Sequence, residues 1–93
     1  MRKARLPVKA TAQFKRDYKL SIKRGFDIEA LEDVVFRLSW GALAPKDRDH
    51  ALSGAWQGCR ECHIANDWLL VYRIEEGTIV LSRTGTHSDL FGK

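Results

Sequence analysis

From Thr11 onward the apolar positions of this chain recur with a helical period. Phe14, Tyr18 and Ile22 stand four apart behind Thr11, whose hydroxyl suits an N-cap, and Gly25 marks an end. Asp27 then caps a second run, in which Ile28, Leu31, Val34, Val35 and Leu38 repeat at i, i+3 and i+4 over about three turns. Past Gly58 the period falls to two. Cys59–Ile64, Trp68–Glu75 and Thr78–Thr84 read as strands, with Glu76-Gly77 as a two-residue hairpin connection. Residues 2–8 read as an earlier strand, which Pro7 confines to an edge or a strand end. The resulting order, β-α-α-β-β-β, predicts an α+β fold with two N-terminal helices packed on a mainly antiparallel four-stranded sheet.

Two segments escape these periods. Residues 41–58 carry Gly41, Pro45, the charged run Lys46-Asp47-Arg48-Asp49-His50, Ser53-Gly54 and Gln57-Gly58. A loop of that length in so small a domain is expected to be functional or partly helical. The tail, residues 85–93, reads as a turn with at most one helical turn. No repeat, low-complexity tract or internal linker divides the chain, so residues 1–93 are read as one domain.

Hairpin geometry turns the strand reading into a candidate site. With Glu76-Gly77 as the turn, Glu75 pairs with Thr78, Leu70 with Arg83, and Trp68 lies opposite Gly85. Asp67 then approaches Thr86 and His87. With Ala65-Asn66 as a second two-residue turn, His63 pairs with Trp68 and shares a face with Arg83. This register gathers His63, Asp67, Trp68, Arg83 and His87 at one end of the sheet, within reach of His50 in the long loop.

Charge adds a partner to this picture. Residues 1–24 hold nine Lys or Arg against Asp17 alone, whereas the remainder holds seven basic and eleven acidic groups. Such a basic first quarter, with Lys15, Arg16 and Lys19 on the first helix, suits a polyanion or an acidic protein. A solvated helix face is the plainer alternative. No apolar run approaches the roughly 20 residues of a membrane span, and no apolar segment follows the basic N-terminus as in a secretory signal. The expectation is a cytoplasmic protein without a membrane partner. Cys59 and Cys62, three apart on a strand, point to opposite faces and read as free thiols, not as a metal or disulfide pair.

Three histidines, a carboxylate and an arginine suit cleavage of an RNA phosphodiester. The ribose 2′-OH must lose a proton, the phosphorane gathers negative charge, and the 5′-oxygen must gain a proton. Histidine serves both proton transfers near neutral pH, and an arginine fork matches the phosphate oxygens. Trp68 and Phe91 offer rings for stacking on unpaired bases. No acidic cluster of the kind used by divalent-metal nucleases is visible, and no His spacing suggests zinc, so neither metal nor cofactor is expected. Each piece also has a structural reading: Asp67 as a turn residue, Arg83 as an ion pair, Trp68 as core.

Four ordered blocks narrow the field. Asp49-His50-Ala51-Leu52-Ser53-Gly54, Arg60-Glu61-Cys62-His63, Asn66-Asp67-Trp68-Leu69-Leu70-Val71-Tyr72 and Arg83-Thr84-Gly85-Thr86-His87-Ser88-Asp89-Leu90-Phe91-Gly92 resemble the YafQ branch of the RelE/ParE toxin superfamily. The resemblance covers most of residues 49–92; the first half matches only loosely. It implies the toxin of a type II toxin–antitoxin pair, a ribosome-dependent mRNA endoribonuclease with two helices on a four-stranded sheet. It also implies His50, His63, Asp67 and His87 as acid–base and positioning groups, Arg83 on the phosphate, and Trp68 and Phe91 in the active site. The implied partners are a cognate antitoxin, the ribosome and mRNA, with operator DNA reached only through the antitoxin. A ParE-like toxin that binds without cleaving, or a plain RNA-binding module, is the competing reading, since one fold hosts both kinds.

Overall fold

A computed structural model describes residues 4–92. A short strand β1 (Val8–Ala10) leads into helices α1 (Ala12–Lys23) and α2 (Ile28–Ser39). Then come β2 (His50–Ala51), β3 (Arg60–Ala65), β4 (Trp68–Glu75), β5 (Thr78–Gly85) and a five-residue helix α3 (His87–Phe91). Single 3-10 turns at Pro45–Asp47 and Gly54–Trp56 fill the long loop, together with β2. The sheet runs β1-β5-β4-β3-β2, with β1 parallel to β5 and every other pair antiparallel. The α+β class therefore holds with five strands in place of four, because two residues of the loop pair onto the sheet edge.

Local chemistry sets the element ends. Thr11 accepts a hydrogen bond from the Phe14 amide at 3.0 Å, and Asp27 accepts from the Ala30 amide at 3.4 Å. Thr86 and Asp89 close a capping box at the start of α3. Glu76 and Gly77 both adopt positive φ, as a type I′ hairpin requires. The first strand is shorter and later than residues 2–8: the Pro7 carbonyl accepts from Ile79, but ladder pairing begins at Val8. Arg2 and Lys3, part of that expected strand, lie outside the described residues, as does Lys93 of the tail.

The two sides of the sheet are unequal. The helix-covered side buries Phe14, Leu31, Val34, Leu38, Cys62, Trp68, Leu70, Tyr72, Ile79 and Leu81 in one cluster. Each full-size apolar side chain there contributes about 1.5–3 kcal/mol. The other side carries a smaller apolar cluster of Leu69, Val71 and Leu90, flanked by Leu52, Trp56, Cys59 and Phe91. Cys59 and Cys62 are free thiols on opposite sides, and burial pushes the Cys62 thiol up to about 12. On α1 the buried line is Phe14, Asp17 and Ser21, so Ile22 is 53% exposed. A strict spacing of four overshoots the helical turn by about 40° per step, which carries Ile22 off the packed face.

Two irregularities reset the register. Tyr72 pairs with Leu81 but Val71 pairs with Arg83, leaving Ser82 without an opposite residue. Likewise His63 pairs with Leu69 and Ala65 with Trp68, so Ile64 is the extra residue. The β3–β4 turn is thus Asn66-Asp67, not Ala65-Asn66, with Asp67 at φ 54°. Asp tolerates this left-handed conformation better than most side chains. Leu70 faces Thr84 instead of Arg83, and Leu69 instead of Trp68 faces Gly85.

Candidate active site

The thinly covered side of the sheet gathers most of the candidate site residues. Short β2 sets His50 directly opposite Glu61, and strand alternation puts His63 on the same side as Glu61. Glu61 is buried, with His50 Nε2 3.2 Å and His63 Nε2 3.7 Å from its Oε2. His50 Nδ1 lies 2.9 Å from the Arg48 carbonyl oxygen. Both ring nitrogens of His50 therefore face oxygens. Burial, and after it the charge of Arg48, hold His63 below the ordinary imidazole range, while Glu61 acts the other way.

Asp67 and His87 form the second half. The Asp67 Oδ1 atom accepts from the His87 backbone amide at 2.9 Å and lies 2.7 Å from His87 Nδ1. These two contacts, the backbone one first, hold the Asp67 carboxyl below the usual carboxylate range. With Nδ1–H committed to Asp67, His87 presents Nε2 outward. The His63 and His87 rings stand 6.1 Å apart between centroids. On the far side of His87 comes Phe91, 6.3 Å away, which rests edge-on against Trp56 at 5.4 Å. Gly85 is needed nearby, because a Cβ there would meet the Asp89 side chain at 3.0 Å.

His50, His63, Asp67, His87 and Phe91 are thus brought together by contact, but two expected members are not. Trp68 is 4% exposed, packs on Phe26 with ring centroids 4.9 Å apart, and donates its indole N–H to Thr84 Oγ1 at 2.9 Å. Its expected role as a stacking surface is corrected: the bulge at Ile64 leaves His63 opposite Leu69, and Trp68 belongs to the helix-side core. Arg83 does stand opposite Val71, two residues along β4 from Leu69, so its backbone position stays on the sheet face of His63 although both bulges shift the register. However, Arg83 lies beyond the β1-paired stretch of β5, and its guanidinium reaches Asp17 on α1 at 2.8 and 3.2 Å. Among the described residues no hydrogen bond or ion pair ties Arg83 to a histidine. Asp17 also accepts from the Thr84 amide at 3.1 Å, so it anchors both strand and arginine.

Lys15, Arg16 and Lys19 are exposed on α1, where Arg16 donates to Gln13 at 2.9 Å, and none bonds to the cleft. Glu61, Asp17 and Trp56 are the residues sequence reasoning passed over. For Glu61 a signal existed, since it alternates with His63 on one strand face. For Asp17, the lone acid in a basic segment was the clue. Among the described residues no group of three or more His, Cys, Asp or Glu is arranged to hold a metal ion.

Two carboxylates and three imidazoles around an open sheet end define a class: a small α+β domain with a solvent-open acid–base cleft. The family model described as "Bacterial toxin of type II toxin-antitoxin system, YafQ" matches residues 6–92, and the chain belongs to that family. It is 34% identical over 87 residues to the mRNA interferase toxin YafQ of Escherichia coli (strain K12), covering 91% of this chain and 95% of that protein. The E. coli YafQ chain solved in its DinJ-YafQ toxin-antitoxin complex superposes with a TM-score of 0.86 at 33% identity, covering 96% and 100%. A metal-bound toxin from Helicobacter pylori gives 0.85 at 44% identity, covering 92% and 99%.

Proposed function

We propose that this type II toxin is an endoribonuclease that arrests translation by cutting ribosome-bound mRNA without a metal ion. The observation that carries the reading is the pair of differently prepared imidazoles, His63 and His87, facing each other across one open cleft. His63, kept neutral, takes the 2′-OH proton. His87, as the imidazolium with its Nδ1–H held by Asp67, delivers its second proton from Nε2 to the departing 5′-oxygen and is left neutral. Glu61 and His50 position His63. Arg83, released in part from Asp17 as the phosphate enters, offsets the charge of the phosphorane. Phe91, braced by Trp56, stacks on a base.

The partners follow from the same reading. A cognate antitoxin covers the toxin in the resting cell, as DinJ accompanies the E. coli YafQ, and operator DNA is met only through it. Lys15, Arg16 and Lys19 supply a basic face for rRNA or for an acidic antitoxin segment. No helix among the described residues is long and apolar enough to cross a membrane, and the proposed site of action is the cytoplasm. Expression of the chain alone in bacteria tests the proposal: growth stops, mRNA is cut, and co-expression of the antitoxin restores both. Arrest with damaged DNA and intact mRNA overturns it in favour of a toxin that binds without cleaving.

A further inference from the structure

A cavity of about 400 Å³ opens beside the cleft, between α2, the 3-10 turn at Pro45–Asp47 and the β3–β4 turn. Its volume is in the range that holds a small ligand, roughly 300–1,000 Å³. Arg37 and Asp47 line one wall and neutralise each other through a bidentate pair, with Asp33 bonded to the same guanidinium at 3.0 Å. Asp47 is further tied to the Ala44 amide at 2.7 Å. Lys46 and Arg48, which also line the cavity, form no ion pair among the described residues. They are its uncommitted charges. His63 and Asn66 line the same cavity, and His63 at the same time belongs to the proposed cleft with His87.

We infer that this cavity binds the RNA nucleotide adjacent to the cleaved bond, with Lys46 and Arg48 gripping its phosphate. The inference rests on the nuclease reading and extends it from the reacting bond to its neighbour. A strand whose scissile phosphate lies between His63 and His87 and that runs past His63 into this cavity meets Lys46 and Arg48, the lining cations without an ion pair among the described residues. Arg48 is held there by its backbone, in left-handed conformation at φ 53°, with its carbonyl engaged by His50. The grip is therefore coupled to the catalytic shell, because one residue serves both. An acidic antitoxin segment would also answer to two cations, but it has no need of a wall shared with His63.

The test is a chemical double-mutant cycle on mRNA cleavage by ribosome-loaded toxin. A neutral methylphosphonate replaces, in turn, the phosphate on either side of the cleaved bond. The protein is either wild type or Lys46→Gln/Arg48→Asn, Asn being a side chain that tolerates the left-handed backbone. For one of the two positions, neutralisation lowers kcat/KM of the wild type by about tenfold or more, as for a lost charge-assisted contact. The same RNA costs the double variant less than about twofold, because the partner is already gone. Equal losses in the two proteins overturn the subsite and leave the nuclease reading standing. A wild type that cuts no unmodified mRNA overturns both. A double variant that loses only antitoxin affinity gives the cavity to the antitoxin and ends the inference.

Discussion

The same three long strands serve two faces that differ in what they bury. On the helix side, Trp68, Leu70 and Tyr72 of β4 enter a core closed by α1 and α2. On the other, Leu69 and Val71 are covered only by α3 and loop residues, and buried Glu61 stands beside His63. One face holds the fold and the other carries the proposed site, residue by alternate residue. The lesson is that a single-residue slip exchanges the two roles. His63 and Trp68, neighbours in the simplest hairpin, are separated by one bulged residue into proposed site and core.

Breaking the helix face should have the largest effect on stability. Trp68→Ala is expected to cost about 3–5 kcal/mol, and Trp68→Phe, which keeps the packing and loses the bond to Thr84, about 1 kcal/mol. Thermal melts read both; the Phe variant should fall by roughly 4–8 °C and cleave normally per folded molecule. A Phe variant with a native melt and lost cleavage would move Trp68 back to the chemical face.

Glu61→Gln probes the opposite side. It keeps the shape and removes the charge facing His50 and His63, and cleavage should fall by about tenfold. A merely structural Glu61 would leave the pH profile alone. A positioning one, which raises the His63 pKa when ionised, shifts the acidic limb to lower pH when neutralised.

Smaller, but sharper, is the pH dependence itself. His63 is faced by Glu61, His50, His87 and Arg48, with burial and Arg48 prevailing. As a base it must be neutral, so the acidic limb of kcat/KM lies below about 6.5, the ordinary imidazole value. The unfolded chain then takes up this proton before the folded one, and stability declines as pH falls through that window. Arg48→Asn should move the limb upward. The smallest effect is expected on α1: charge reversal of Lys15, Arg16 and Lys19 leaves melting and catalytic pH profile intact and flattens the salt dependence of ribosome or antitoxin association.

Much of the fold is legible along the chain, because caps and helical spacing are local. Thr11, Asp27 and the Glu76-Gly77 hairpin do what their types prescribe, and the Asp67–His87 contact follows from the hairpin alone. What escapes is set by long-range pairing. Neither bulge carries a composition signal: Ser82 and Ile64 are ordinary strand residues. Ser82 is instead fixed from outside, its carbonyl receiving the Thr11 hydroxyl at 3.1 Å. The Arg83–Asp17 pair spans 66 positions. The two-residue strand at His50 is too short for periodicity to reveal, and with it goes the pairing that makes Glu61 part of the site.

The division between a folding face and a chemical face is tested most directly at His87, which is exposed and touches no buried cluster residue in a hydrogen bond. Primer extension on mRNA from cells expressing His87→Ala should show cleavage reduced by about 10²–10⁴-fold. The purified variant should melt within about 0.5 kcal/mol of wild type and co-sediment with ribosomes as before. Cleavage at the wild-type rate would contradict the assignment of this face to catalysis.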